Sequence, residues 1–207
     1  MNDLIDSIKE LQQGEIRELI SQRISEFSQY KEEHINEIFK ELCFCVMTAN
    51  CGAEKCIEIH EQIGLDFVKF SETELSNRFK ELGYRFPNIR AQYINESKKK
   101  IDELKIALRD LEGEELRKWI VKNIKGLGYK ESSHFLRNIG YKNYAIIDFH
   151  IADLLEKYQL IEKPKTMTKT KYIEIEEILK DLGERLSLNM AELDLYLWYM
   201  ETGKILK

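Results

Sequence analysis

Apolar residues recur at a helical spacing through almost the whole chain, and only two prolines interrupt it. That periodicity constrains the fold more than any other feature, because a 3.6-residue repeat buries one stripe of a helix and cannot serve a strand. Leu4, Ile8 and Leu11 form one stripe, and Ile16, Leu19, Ile20 and Ile24 form another. Ile38 to Ala49 is the most apolar stretch and reads as the central core helix, broken by Asn50-Cys51-Gly52 before Ala53 to Ile63 resumes. Ser71-Glu72-Thr73-Glu74 is a capping box whose helix runs to Leu82, with Gly83 as a left-handed cap. Tyr84-Arg85-Phe86-Pro87 reads as a loop, Ile89 to Leu111 as one long helix, and Glu114 to Ile124 as a shorter one. A helix through Ile139 follows Gly126-Leu127-Gly128. Ala145 to Tyr158 reads as helical, with its regular part beginning near Asp148. A helix around Tyr172 to Leu182 and a final one, opened by a capping box at Asn189-Met190-Ala191-Glu192 and closed by Gly203, complete an all-α pattern.

The 207 residues suffice for one large domain, and an apolar fraction of 43% supports a core. The four cysteines, Cys43, Cys45, Cys51 and Cys56, lie in the first third of the chain at spacings that match neither a zinc site nor a cluster site. Buried, reduced thiols are expected, with no metal and no cofactor. The start, Met1-Asn2-Asp3-Leu4-Ile5-Asp6, does not read as a signal peptide, and no apolar run is long enough to span a bilayer. A soluble, intracellular protein without a membrane partner is expected.

Chemistry concentrates in Asn123-Ile124-Lys125-Gly126-Leu127-Gly128-Tyr129-Lys130-Glu131-Ser132, a Gly-apolar-Gly hairpin between two helices. The glycines permit positive φ and leave the backbone N–H groups bare, and the next helix presents its N-terminus, so the turn suits a phosphate. Leu127 should plug the two helices together. The net charge of −5 argues against a polyanion partner, but Arg117, Lys118, Lys122, Lys125, Lys130, Arg137 and Lys142 cluster around the hairpin with Glu131 as the one acid among them. That local excess predicts a footprint for a phosphate backbone. Asp148 follows Lys130 by eighteen residues, in Ala145-Ile146-Ile147-Asp148-Phe149-His150, and a returning chain could bring the two together; Asp148 also suits a helix N-cap.

These motifs resemble the helix-hairpin-helix DNA glycosylase superfamily. Leu42 to Asn50, Lys130 to Gly140, and Leu193 to Tyr199 through Gly203-Lys204 narrow the resemblance to the compact, archaeal-type 8-oxoguanine DNA glycosylase/AP lyases. The resemblance implies an all-helical fold in two subdomains with the active site between them. Residues 1–207 would form a single glycosylase unit carrying the hairpin motif at about 114–140. The N- and C-terminal helices would pack together as the second subdomain. It implies Lys130 as nucleophile and Asp148 as catalytic acid. Phe86, Trp198 and the terminal Lys207 would recognise the base, and Asn50 would enter the DNA where the base has left. Lys125, Gly126, Gly128 and His150 would contact DNA. The partner would be double-stranded DNA containing 8-oxoguanine, bound by a monomer. Phe149 departs from the family pattern, where an arginine or lysine is common.

The chemistry implied makes a demand on Lys130. A free lysine has a pKa near 10.4, so holding the amine neutral at pH 7 costs roughly 4.6 kcal/mol. Lys125 and the hairpin dipoles are the expected sources of positive potential to lower it. The base itself differs from guanine in having a donor at N7, so the pocket needs an acceptor, for which a C-terminal carboxylate at Lys207 is a candidate. A non-catalytic hairpin module, or a glycosylase for another oxidised base, explains the hairpin equally well.

Overall fold

The computed structural model describes residues 1–206, which fall into two compact units: Met1–Gln29 with the chain from Gly140 onward, and Tyr30–Ile139. Thirteen α-helices and one short 3-10 turn account for the described secondary structure. The first unit begins with α1 (Asn2–Gln12) and α2 (Ile16–Gln29). The second holds α3 (Ile35–Thr48), α4 (Ala53–Ile63), α5 (Asp66–Lys69), α6 (Glu72–Glu81), α7 (Pro87–Lys98), α8 (Ile101–Asp110), α9 (Gly113–Asn123) and α10 (Tyr129–Asn138). The chain returns to the first unit with α11 (Phe149–Lys157), α12 (Lys169–Leu186) and α13 (Met190–Thr202). No described helix is long and apolar enough to cross a membrane.

In the Tyr30–Ile139 unit, α3 is the core. Phe39 and every residue from Leu42 to Met47 are fully buried, and α4, α5, α7, α8 and α10 pack around it. Each large side chain so buried contributes about 1.5–3 kcal/mol. A carboxylate lies among them: Glu41 is fully buried. Tyr30 and Asn138 donate to its two oxygens at 3.2 and 3.3 Å, and His60 Nε2 lies 3.5 Å away, which meets the requirement that a buried carboxylate be hydrogen-bonded. The Ser71 capping box forms as read, and Gly83 (φ +70°) closes α6 with Tyr84 N–H bonded to Phe79 and Gly83 N–H to Lys80.

The continuous helix expected over Ile89 to Leu111 is two helices. Lys99 and Lys100 donate to the carbonyls of Glu96 and Ser97, three residues back, so the chain tightens and ends α7. α8 then restarts with Asp102 and Glu103 in its first turn. Basic residues at one helix end followed by acidic residues at the next helix start match both dipoles, and Lys98-Lys99-Lys100 before Asp102-Glu103 carried that signal in the sequence.

In the other unit, α1 and α2 pack on α12 and α13, and α11 packs on α13. Leu19, expected in the buried stripe of α2, is 51% exposed. The segment from Ala145 to Ile147 is not helical. It is buried, so its backbone groups need partners. Glu176 accepts from Ala145 N–H, and the Tyr172 hydroxyl accepts from Ile147 N–H while donating to the Ala145 carbonyl. Two side chains of α12 therefore replace the hydrogen bonds that a helix would have supplied.

All four cysteines are free. Cys43, Cys45 and Cys56 are buried as expected; Cys51, after the end of α3, is only half-buried. A thiol reagent added to native protein is expected to modify Cys51 first. Cys43, Cys45 and Cys56 should react only at the rate of unfolding, and rapid labelling of all four would contradict this packing.

Candidate active site

The hairpin is built from α9, five linking residues and α10. Ile124 and Leu127 are buried, so Leu127 does plug the helices together. Gly126 takes φ +85°, and a Cβ there would sit 2.7 Å from the ring of Tyr93 on α7. Gly126 therefore meets two demands that other residues cannot. Gly128 differs from the expectation. Its φ of −87° is open to any residue, and it serves as N-cap of α10. Its N–H donates to Glu131 Oε2 at 3.2 Å.

Lys130 occupies the first turn of α10, with its side chain 26% exposed and its Nζ 3.8 Å from Glu131 Oε1. Lys125, the expected source of positive potential, is instead paired with Glu96 Oε2 at 2.8 Å. That hydrogen bond pushes the Lys125 amine up and holds the Glu96 carboxyl below its ordinary value. Lys125 is thus neutralised by α7, and the charge standing nearest Lys130 is Glu131.

The basic footprint is smaller than the sequence suggests. Arg117 and Arg137 are buried. Arg117 donates twice to Glu114, at 2.7 and 3.0 Å, and once to Ser133, and its guanidinium stacks on the Tyr129 ring. Tyr129 in turn donates to Glu114 at 2.7 Å. This network ties α9 to α10 beneath the hairpin, and Lys118, Lys122 and Lys125 remain as exposed cations of the motif. Burial pushes the Glu114 carboxyl up, but the bonds from Arg117 and Tyr129 outweigh it and hold the group below the usual carboxylate range.

Asn50 projects from the end of α3 with φ +60°, a left-handed conformation uncommon outside glycine. Its loop is tethered on several sides. The Tyr84 hydroxyl donates to Met47, Arg90 to the Ala49 carbonyl, and Arg85 to the Asn50 carbonyl, at 2.7, 2.8 and 3.4 Å. Phe86, the N-cap of α7, is half-buried beside the guanidinium groups of Arg85 and Arg90, 4.9 and 5.7 Å from its ring. The resemblance singled out Asn50 and Phe86 but not the two arginines that contact their segments.

In the other unit, Asp148 caps α11, with Oδ1 accepting from Ile151 N–H at 3.0 Å. Its Oδ2 takes no hydrogen bond among the described residues. The His150 ring stands edge-on to Trp198, 5.2 Å between centroids, and 4.0 Å from the ring of Phe149, which is 63% exposed. Trp198 is half-buried, and its Nε1 donor has no partner among the described residues. Lys207 lies outside the described residues. No group of three or more His, Cys, Asp or Glu among the described residues could hold a metal.

Two helices packed on each other and joined by a glycine hairpin, with a lysine on the first turn of the second, define a helix-hairpin-helix protein. A family model described as 8-oxoguanine DNA glycosylase matches residues 20–188. A Korarchaeum cryptofilum 8-oxoguanine DNA glycosylase/AP lyase is 48% identical over all of this chain and 99% of its own length. The fold is similar to that of the Methanocaldococcus jannaschii 8-oxoguanine glycosylase/lyase in complex with 15mer DNA containing 8-oxoguanine. There the TM-score is 0.95 at 46% identity, covering 99% of each chain. The Thermotoga maritima 8-oxoguanine DNA glycosylase superposes with a TM-score of 0.92 at 38% identity, over 100% of this chain and 99% of that one. The chain belongs to the 8-oxoguanine DNA glycosylase family.

Two outcomes are expected from this geometry. Gly126→Ala should cost about 1–3 kcal/mol through the strained φ and the Tyr93 clash, measurable as a lowered Tm and weaker duplex binding. Gly83→Ala, with open space around it, should cost less. Because the folded pKa of Glu114 is depressed, its stabilisation is present above the unfolded carboxylate value near 4.3 and is lost as pH falls through the folded value. The Tm deficit of Glu114→Gln should therefore be complete at neutral pH and shrink below about pH 4. A deficit independent of pH would contradict the ion pair.

Proposed function

We propose that the chain removes 8-oxoguanine from double-stranded DNA and then nicks the strand, acting as a DNA glycosylase/AP lyase of base excision repair through Lys130. The observation that carries this reading is Lys130 on the first turn of α10, directly after the glycine hairpin, in a chain whose relatives of that name match it end to end. The Gly126–Gly128 backbone and the exposed lysines grip phosphates, with Lys125 leaving Glu96 to do so, and His150 adds a further DNA contact. Asn50, already held in a left-handed turn, fills the gap left by the extruded nucleotide. Phe86 and Trp198 stack on the flipped base, offsetting the few kcal/mol of unstacking. Lys207 contributes to recognition of the oxidised base. One monomer suffices, wherever the chromosome is.

The steps follow from the groups. The neutral Lys130 amine attacks C1′, a C–N bond forms, and the glycosidic bond breaks with its electron pair leaving on the base, which takes up a proton. Asp148 stabilises the positive charge that develops on the sugar. Loss of the amine proton and opening of the ring give a Schiff base. Removal of a C2′ proton then expels the 3′ phosphate by β-elimination. Water hydrolyses the imine, restoring Lys130 and releasing the unsaturated sugar end.

Incubation with 8-oxoguanine duplex is expected to give a strand nicked 3′ to the lesion, and Lys130→Gln should abolish nicking while duplex binding survives. Binding without any nicking by the unaltered protein would leave only a DNA-binding hairpin module. Nicking confined to oxidised pyrimidines would move the reading to another base.

A further inference from the structure

The position of Lys130 is electrostatically awkward. It stands at the second residue of α10, where the exposed N–H groups and the helix dipole disfavour a cation. The residue next to it offsets this. Glu131 is the third residue of α10, and its side chain is only 18% exposed. Its two oxygens have separate partners: Oε2 accepts from Gly128 N–H at 3.2 Å, and Oε1 faces Lys130 Nζ at 3.8 Å. Because the N-cap is a glycine, Glu131 is the one side chain that can close this helix start, and doing so pins its carboxylate. A Cβ on Gly128 would stand 3.2 Å from Oε2, so the bare N-cap also leaves room for that arrangement.

We infer that Glu131 is a positioning residue for the proposed nucleophile: anchored on the hairpin backbone through one oxygen, it holds the Lys130 amine in place with the other. This rests on the reading of Lys130 given above. A helix-cap role alone would need only Oε2. The second oxygen turned toward the amine is the observation that goes further. A lysine side chain has four rotatable bonds, and limiting them at the point of attack is where placement matters: misplacement by about 1 Å can cost a hundredfold in rate.

Glu131→Gln separates the two roles. Glutamine also completes a capping box, its amide oxygen accepting from Gly128 N–H, so the fold is retained. Its amide nitrogen then faces Lys130, donor against donor, and the amine is pushed aside. Expected are a Tm within about 2 °C of the unaltered protein, an 8-oxoguanine duplex Kd within about twofold, and single-turnover base release slowed by about ten- to a hundredfold. Glu131→Asp keeps the charge but cannot reach both partners, and should also be slow. Base release at the unaltered rate in Glu131→Gln would overturn the inference while leaving Lys130 in place, as would a loss confined to Kd or Tm. If the unaltered protein released no base, both readings would fall together.

Discussion

Gly126 must be a glycine because two demands meet there: a left-handed backbone and the ring of Tyr93 pressed against it. Much of the hairpin follows from that contact. The turn it allows drops Leu127 into the gap between α9 and α10, and Leu127 and Ile124 are buried as a result. The same turn delivers the chain into α10 with Gly128 as a bare cap, so the first turn of that helix presents Lys130 and Glu131 side by side. Beneath it, Glu114, Arg117, Tyr129 and Ser133 lock the two helices at a fixed separation. A lysine on a loop would wander, whereas Lys130 stands on a helix whose start is capped.

Charge is arranged by pairing more than by excess. The chain is net acidic, yet the motif that should meet a polyanion is basic. Part of that basicity is structural, since Arg117 and Arg137 are buried. Another part is already paired, because Lys125 is bonded to Glu96. Exposed pairs of this kind are worth little in water, typically under about 1 kcal/mol, so exchanging Glu96 for a phosphate costs little. At the start of α10, Glu131 Oε1 lies 3.8 Å from the Lys130 Nζ.

Much of this was legible in the sequence. The helical period located the elements, the Ser71 and Asn189 capping boxes fixed two helix starts, and Gly126-Leu127-Gly128 marked the hairpin. Asp148 as a helix cap followed from an acid after three apolar residues. Other features had no local signal. Glu41 reads as a surface residue, and only the folding of Tyr30 and Asn138 around it explains a buried carboxylate. The non-helical course of Ala145 to Ile147 depends on Tyr172 and Glu176, more than twenty residues away along the chain. The arginines that bury themselves on α9 and α10 look like footprint residues until their partners are seen. By contrast, the break after Lys98 was missed although the charges on either side of it carried a signal.

The most direct measurement is the site of covalent attachment. Reaction with 8-oxoguanine duplex in the presence of borohydride reduces the transient imine to a stable amine, and proteolysis followed by mass spectrometry locates the modified residue. The sugar remnant should be found on Lys130 alone. A remnant on Lys125, on Lys122 or on the terminal amine would contradict the role given to Lys130.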